Sequence, residues 1–383
     1  MSPPIAELDP PHLEPTSTDV TCRVVQTDAE LADLQPAWEA IDGSLTSPME
    51  TFGWSAAAHA TREQRPALIV AEQNGSLRAI APLGRCGRWL RSRFEMLGMT
   101  RLNEPADFIS VDSTGLAAVI DRAIAFGRPI LLGRLPAESR TIGIFERLAR
   151  GRGKVLVRPQ ASCPYIPLDA TWSEPESHLS SRRRSDFRRA FRRAEQLGPI
   201  TAEILSPRPE EVAGLLETAY AIEAKSWKGS EGTALIHDQV RGQFMRRFAE
   251  WASRAGILRI ALLRNGDNYA AMQIAAEHNR AFWLLKIGFD PEFASCSPGN
   301  LLLAESLRYS AQQGLSSLEF LGTVEPWTQV WTDHERKCVS LRYYPFNLGG
   351  ALALAVEAIV LVARRVGERW GRRRQVESSD HSS

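Results

Sequence analysis

Residues 281–321 read AFWLLKIGFDPEFASCSPGNLLLAESLRYSAQQGLSSLEFL, and this stretch decides the fold. Its first part, Ala281–Phe289, is rich in aromatic and branched residues, which favour a buried strand. Ser297 can cap a helix that has Pro298 at its first position. Leu315–Leu321 follows as the next strand. Strand, helix and strand in this order predict a βαβ crossover with two parallel strands.

The start of this helix is a candidate phosphate site. Free backbone N–H groups and the helix dipole favour an anion there. Gly299 carries no side chain that would keep a pyrophosphate away from the backbone. The simpler interpretation is that SPGN only begins a well-capped helix, and the residues themselves leave both interpretations open.

Composition excludes several classes of protein. The chain has 383 residues, 44% hydrophobic and 24% charged, which is enough for two globular domains. With Lys+Arg 46 against Asp+Glu 45, a dedicated nucleic-acid binder is not expected. Five scattered cysteines indicate reduced thiols in a cytosolic protein, and the histidines form no metal-ligand pattern, so we expect no metal. GxSxG and Walker sequences do not occur, which argues against a serine hydrolase and a P-loop NTPase.

The order of predicted elements indicates an internal duplication. Hairpin signals at Asn74-Gly75 and Asn265-Gly266 each follow two predicted helices and a strand-like run. We therefore expect a mixed α/β protein with two lobes. The predicted segments are a disordered leader (1–20), a first lobe (21–168), a linker and basic helix (169–198), a second lobe (199–346), and a C-terminal helix with a polar tail (347–383).

The helix predicted between the lobes is strongly basic. Residues 180–197 read SSRRRSDFRRAFRRAEQL, with an apolar face at helical spacing and seven arginines. Arginines in this number could neutralise phosphates of nucleic acid, an anionic carrier lipid, or the 3′-phosphate of a coenzyme. A solvated charged face is the alternative.

An apolar segment near the C-terminus allows two interpretations. Residues 348–363 read LGGALALAVEAIVLVA and precede a basic run. The segment is shorter than the roughly 20 residues that span a bilayer. It can pack on the domain as a terminal helix, or lie on anionic lipid as an interfacial helix at the inner membrane face.

The second half resembles the GNAT acyltransferase fold. The duplicated whole resembles the FemAB-related, CelD-type branch of bacterial proteins linked to cellulose and exopolysaccharide loci. The stretches that carry the resemblance are EAKSWKGSEGTAL (Glu223–Leu235), GFDPEFASCSPGNLL (Gly288–Leu302) and FLGTVEPWTQVW (Phe320–Trp331). It implies tandem GNAT-like lobes, each a mixed sheet flanked by helices.

The resemblance also implies a donor substrate, acetyl-CoA or a longer acyl-CoA, held where a strand and the following helix splay apart. Carried over by position, Ile287 and Gly288 would line the pantetheine. The pyrophosphate would lie against Ser297, Pro298, Gly299, Asn300 and Leu301.

Acylation of an amine needs a base that removes a proton from the ammonium. Glu325, on the loop after the last strand of the cleft, is the first candidate, and Asp107 and Glu223 come next. Each could instead be a structural carboxylate. Candidate substrate contacts are Trp227, Lys228 and Trp327.

We therefore predict a cytoplasmic enzyme that moves an acyl group from acyl-CoA to an amine or hydroxyl of a small molecule or glycan precursor. One alternative is a FemAB-type aminoacyl transferase that uses aminoacyl-tRNA, which the arginine helix could bind. The other is a catalytically silent binding protein of a polysaccharide biosynthesis assembly.

Overall fold

The computed structural model describes residues 20–87, 92–226 and 238–359, apart from the side chains of residues 42, 100 and 101. The strands are β1 Thr21–Val25, β2 Arg65–Pro66, β3 Leu68–Gln73, β4 Ser76–Ala81, β5 Leu83–Cys86, β6 Arg93–Met96, β7 Ile109–Ser110, β8 Ile130–Pro136, β9 Gly153–Pro167, β10 Ile200–Leu205, β11 Leu258–Asn265, β12 Asn268–His278, β13 Ala281–Phe289, β14 Ser317–Glu319 and β15 Glu335–Pro345. The helices are α1 Asp28–Glu39, α2 Phe52–Ala60, α3 Met99–Leu102, α4 Ser113–Ala125, α5 Arg140–Leu148, α6 Ser181–Leu197, α7 Val212–Lys225, α8 Gln239–Arg254, α9 Pro298–Gln312 and α10, residues 348–359.

The deciding stretch folds as predicted. β13, α9 and β14 follow one another, and β13 pairs with β14 in parallel, Ala281–Trp283 against Ser317–Glu319. Both hairpins are present as antiparallel pairs, β3 with β4 and β11 with β12. Asn74 and Gly75 both have positive φ, 53° and 75°, as a type I′ turn requires. The βαβ unit and the two hairpins are therefore confirmed.

The strands form one sheet of four and one of eleven, and helices pack against both. The small sheet has the order β1-β3-β4-β7, and the large one β10-β11-β12-β13-β14-β9-β15-β8-β6-β5-β2. This arrangement confirms a mixed α/β fold with sheets flanked by helices.

The two halves of the chain share the large sheet. β15, which the sequence places in the second lobe, lies between β9 and β8 and pairs antiparallel with both. In return, Tyr165–Pro167 of β9 pairs with Ser317–Glu319 of β14. Each half therefore completes its part of the sheet with a strand from the other.

The halves also share a hydrophobic core, in which α2 packs against α8. The ring centroid of Trp54 lies 4.7 Å from that of Phe244 and 5.1 Å from that of Phe248. A Cβ atom on Gly53 would lie 2.0 Å from Cδ2 of Trp251, so only glycine allows this close approach. Burial of these aromatic rings holds the halves together.

The described part of the C-terminal segment is helix α10, which is tied to the large sheet. Its Glu357 carboxylate accepts hydrogen bonds from Arg158, at 2.8 Å, and from Arg342. The outer face of the helix exposes apolar side chains, namely Leu348, Leu352, Val356 and Ile359. None of the described helices is long and apolar enough to cross a membrane.

Candidate active site

A cavity of about 620 Å³ opens where β13 and β14 separate. Their parallel ladder ends at Trp283 and Glu319, whereas β13 continues to Phe289. The N-terminus of α9 closes one end of the gap, and the loop after β14 borders the other side. The volume lies within the range of ligand sites.

The fold brings most of the predicted coenzyme residues to this cavity. Of the seven predicted residues, the cavity is lined by Ile287, Gly288, Ser297, Pro298, Gly299 and Asn300. Leu301 is buried instead in the cluster of apolar side chains beneath α9. Glu325 and Trp327 line the same cavity from the loop after β14.

A β-bulge interrupts β13 at the cavity. Ile274 pairs with Lys286 and Ala275 with Leu284, so Leu285 is an extra residue without a counterpart on β12. Beyond Trp283, every second backbone N–H and C=O of β13 faces away from β12 and towards the gap. This exposed edge can hydrogen-bond an extended, amide-containing ligand and can offer an N–H to a developing oxyanion.

The N-terminus of α9 has an uncapped first turn. Ser297 has a φ of 48°, and its side chain makes no capping hydrogen bond, contrary to our prediction that it would. Its carbonyl accepts the N–H groups of Asn300 and Leu301, and Pro298 has no N–H. The N–H of Gly299 therefore points out of the turn, where the helix dipole favours an anion. A Cβ atom on Gly299 would meet only Phe289, at 3.9 Å, so its surroundings are open.

The structure adds a carboxylate that the sequence did not reveal. Glu104, on the loop between α3 and β7, reaches the cavity from the first half of the chain. Its Oε2 atom is buried without a hydrogen bond and lies 4.0 Å from Nη1 of Arg134. Burial raises the pKa of Glu104 to about 7, against the lowering effect of the positive charges of Arg134, Lys286 and Arg241. A carboxylate with this pKa in a cavity is suited to proton transfer near neutral pH.

Arg134 fixes the loop that carries Glu104. The arginine is 4% exposed, and its Nη1 donates to the carbonyl of Asn103 at 2.8 Å. Its Nη2 donates to the carbonyl of Gly322, on the loop after β14. One guanidinium thus joins the two loops that border the cavity.

The three predicted catalytic carboxylates lie in different surroundings. Glu325 is exposed at the rim and accepts a hydrogen bond from Nε1 of Trp327 at 2.8 Å. Glu223 is fully buried behind the cavity wall, with its Oε1 3.5 Å from Nζ of Lys286.

Asp107 and Glu223 do not line the cavity. Asp107 lies near α5, accepts a hydrogen bond from Thr141 Oγ1 at 2.6 Å, and has a pKa raised by burial. Because a base must reach the reacting proton, Glu104 and Glu325, which line the cavity, are better placed for that role. Trp227 and Lys228 lie outside the described residues, although the preceding Ser226 lines the cavity. Among the described residues, no group of three or more His, Cys, Asp or Glu side chains could hold a metal ion.

Comparisons with known proteins agree with this geometry. Residues 181–329 match the family model of an acetyltransferase (GNAT) domain. Among solved structures, FemX is 11% identical, with a TM-score of 0.56 over 84% of this chain and 98% of FemX. The C-terminal DUF2156 domain assigned to a lysylphosphatidylglycerol synthetase from Agrobacterium fabrum is 10% identical, with a TM-score of 0.53 over 86% of this chain and 97% of that domain.

A conserved protein of unknown function from Bacteroides thetaiotaomicron VPI-5482 is 10% identical, with a TM-score of 0.54 over 84% of this chain and 99% of that one. At such identities the structural similarities show the fold alone. No curated protein matches the sequence of this chain. The family match covers the region that forms most of the cavity, and residues 181–329 are therefore similar to an acetyltransferase (GNAT) domain.

Proposed function

We propose that the protein transfers an acyl group from acetyl-CoA or a longer acyl-CoA to an amine or hydroxyl. The observation that supports this most directly is the content of one cavity. It combines the open first turn of α9, the edge of β13 beyond its ladder with β14, and a partly buried carboxylate, Glu104, with a pKa of about 7.

The donor would lie along β13. Its pantetheine amides would hydrogen-bond the strand edge at Ile287 and Gly288, and its pyrophosphate would meet the N–H of Gly299. Lys286, whose side chain is 19% exposed, lies on the same strand. An extended donor in this position brings its thioester to the bulge at Leu285.

The chemistry then needs a proton acceptor. Glu104 would take a proton from the attacking amine or hydroxyl, whose lone pair forms the new bond to the thioester carbon. The C–S bond breaks, and the departing thiolate takes up one proton. Backbone N–H groups near the bulge would stabilise the oxyanion.

The acceptor is a small molecule or a glycan or envelope precursor, as the CelD-type resemblance implies. Trp327 at the rim offers it a flat apolar surface. Trp227 and Lys228 remain proposed contacts of the acceptor. The alternative is a catalytically silent binding protein, which would keep the fold without turnover. The following variants distinguish this alternative from the proposed enzyme.

The donor site can be tested at Gly299. We expect Gly299→Val to abolish binding of acetyl-CoA, because the added methyl groups would keep the pyrophosphate away from the N–H. The fold should persist, since the space around this position is open. Calorimetric titration with acetyl-CoA measures the effect.

Gly214→Val is the matched control. Gly214 also lies in the first turn of a helix, and a Cβ atom there has nothing within 4 Å. Unchanged affinity in the Gly299 variant would rule out a pyrophosphate at α9.

The proposed base can be tested at Glu104. Glu104→Gln keeps the size and removes the proton acceptor, so turnover should fall by ~10²–10⁴-fold with coenzyme affinity little changed. Steady-state kinetics with acyl-CoA and an amine acceptor measure this. Glu325→Gln is the comparison, because both carboxylates line the cavity. The larger loss identifies the base, and a loss in Glu325→Gln alone would contradict our assignment.

The pH dependence supplies a second measurement for the same assignment. Glu104 is protonated below its pKa of about 7 and ionised above it. A base acts only when ionised, so kcat/KM should rise about tenfold per pH unit below pH 7 and level off above it. In Arg134→Gln the lost positive charge should move this midpoint to a higher pH. Arg134→Lys retains the charge, so its midpoint should lie below that of Arg134→Gln. A flat profile through pH 7 would count against Glu104.

Aminoacyl-tRNA is the alternative donor, and the basic helix α6 is the element that would bind it. Nη1 of Arg183 donates to the carbonyls of Gln329 and Val330, and Nη1 of Arg193 to that of Ser295. Both arginines are exposed, but part of their hydrogen-bonding capacity is used by the two loops beside the cavity. The face left for a long polyanion is correspondingly smaller.

Salt dependence tests the tRNA alternative. If α6 binds tRNA, affinity should fall steeply between 50 and about 200 mM salt, because each neutralised phosphate releases counterions. Filter binding with bulk tRNA measures it. Since Arg183, Arg189 and Arg193 already have partners within the chain, we expect weak binding, and tight binding with a steep salt slope would favour the aminoacyl-tRNA function.

Membrane contact through α10 is a separate proposal, supported by its exposed apolar stripe. Leu352 and Val356 are 43% and 49% exposed on a helix that Glu357 anchors. Leu352→Ser with Val356→Ser should reduce co-sedimentation with vesicles of phosphatidylcholine and phosphatidylglycerol, because the apolar contact is lost. Equal sedimentation of both proteins would contradict it. Ala358→Ser, exposed on the same helix beside the apolar stripe, is the control.

A further inference from the structure

A second concave site lies on the outer side of α9, away from the coenzyme cavity. It is a groove of about 940 Å³ between α6, β10, β11 and α9. We call it the α6 groove. Its floor is apolar and is formed by Phe187, Phe191, Ile200, Ala202, Leu263 and Leu301. These side chains lie over the apolar cluster beneath α9, and Phe191 is 41% exposed.

A row of arginines borders this floor. Arg184, Arg188 and Arg192 follow one another at four-residue spacing, so they lie along one face of α6 over about 12 Å. Arg184 donates to the carbonyl of Leu179 at 3.2 Å. Arg188 and Arg192 have no hydrogen-bond or ion-pair partner within residues 20–87, 92–226 and 238–359.

The carboxylates in the groove do not neutralise this row. Glu176 and Glu305 both pair with Arg308, whose nitrogens lie 3.0 Å and 2.5 Å from their carboxylate oxygens. One arginine therefore holds both acidic groups. The row on α6 keeps its positive charge for an anion from outside the chain.

We propose that the α6 groove binds an anionic amphiphile, with a phosphate on the arginine row and an apolar chain on the floor. The phosphate would bind the arginine row because their charges are complementary. The apolar chain would lie on the floor because burial of both apolar surfaces is favourable. The site is distinct from the coenzyme cavity, because Leu301 faces the groove while Asn300 and Leu302 line the cavity.

The floor also favours an alkyl chain over nucleobases. The edges of bases are polar, and burial without hydrogen-bond partners is costly. With the arginine row occupied by the phosphate and with Glu176 and Glu305 already paired, the groove offers a base edge little beyond Ser185. An alkyl chain needs no such partners.

The experiment is a calorimetric titration of the full-length protein with monomeric dihexanoyl phosphatidic acid. Arg188→Gln with Arg192→Gln should weaken binding about tenfold or more, because each basic residue beside an anionic lipid contributes roughly fivefold in affinity. Phe191→Ala should weaken it too, by removing floor area. Circular dichroism checks that each variant is folded.

The matched control is Arg182→Gln with Arg189→Gln, which removes the same charge from the same helix outside the groove. We expect its affinity to stay within about twofold of the parent, because a specific site depends on position and not only on net charge. Equal losses in the two double variants would mean non-specific attraction and overturn the proposal.

Two further ligands separate the sources of the phosphate. Inorganic phosphate should bind more weakly than the amphiphile, because it cannot use the floor; equal affinity would overturn the lipid assignment. Poly(U) should not compete, and tighter binding of poly(U) through Arg188 and Arg192 would replace the amphiphile with single-stranded RNA. These measurements do not involve acyl-CoA, so their failure leaves the proposed acyl transfer standing.

Discussion

The geometry of the candidate active site depends on one buried cation. The guanidinium of Arg134 donates to the carbonyls of Asn103 and Gly322, which belong to opposite halves of the chain. A buried arginine without these partners would be strongly destabilising, so the two loops must meet around it. Arg134 and Asn103 both have positive φ, 49° and 50°, a conformation that non-glycine residues rarely adopt. The same guanidinium lies 4.0 Å from Glu104 and limits how far burial raises the pKa of that carboxyl.

The exchange of strands between the halves supports this arrangement. β15 lies between β8 and β9, and β9 in turn pairs with β14, the strand from which the loop to Gly322 departs. Arg134 itself belongs to β8. Arg134 and the strand that leads into the Gly322 loop are therefore parts of one hydrogen-bonded sheet, not of two domains that meet at a surface. Relative motion of the halves would break ladder hydrogen bonds, which makes the cavity largely preformed.

Local patterns predicted the second half well. The βαβ unit and its helix start depend on periodicity and turn residues within 41 positions, whereas the GNAT resemblance was needed to place Ile287 and Gly288 at the cavity. Glu104 could not be found in this way, because it lies in an irregular loop and acts through contacts with residues far along the chain. The sequence drew attention to Asp107, three positions later, whose strand was recognisable. The pairing of β15 with β8 is likewise non-local, and local sequence patterns indicated no partner for this strand.

The first half contains a comparable crossover, but its helix start differs from the one at the proposed coenzyme site. In the first half the connection between the parallel strands β6 and β8 contains α3, β7 and α4, whereas α9 is the only α-helix between β13 and β14. The carboxylate of Asp112 caps α4 by accepting the N–H of Gly115 at 2.7 Å, and Arg78 pairs with it at 2.9 Å. A Cβ atom on Gly115 would lie 2.7 Å from Cβ of Arg78, so this turn is packed shut. A phosphate at this helix start would be repelled by the carboxylate of Asp112 and would find no room beside Gly115. The first turn of α9 has neither obstacle, because Pro298 follows an uncapped start and Gly299 opens onto the cavity.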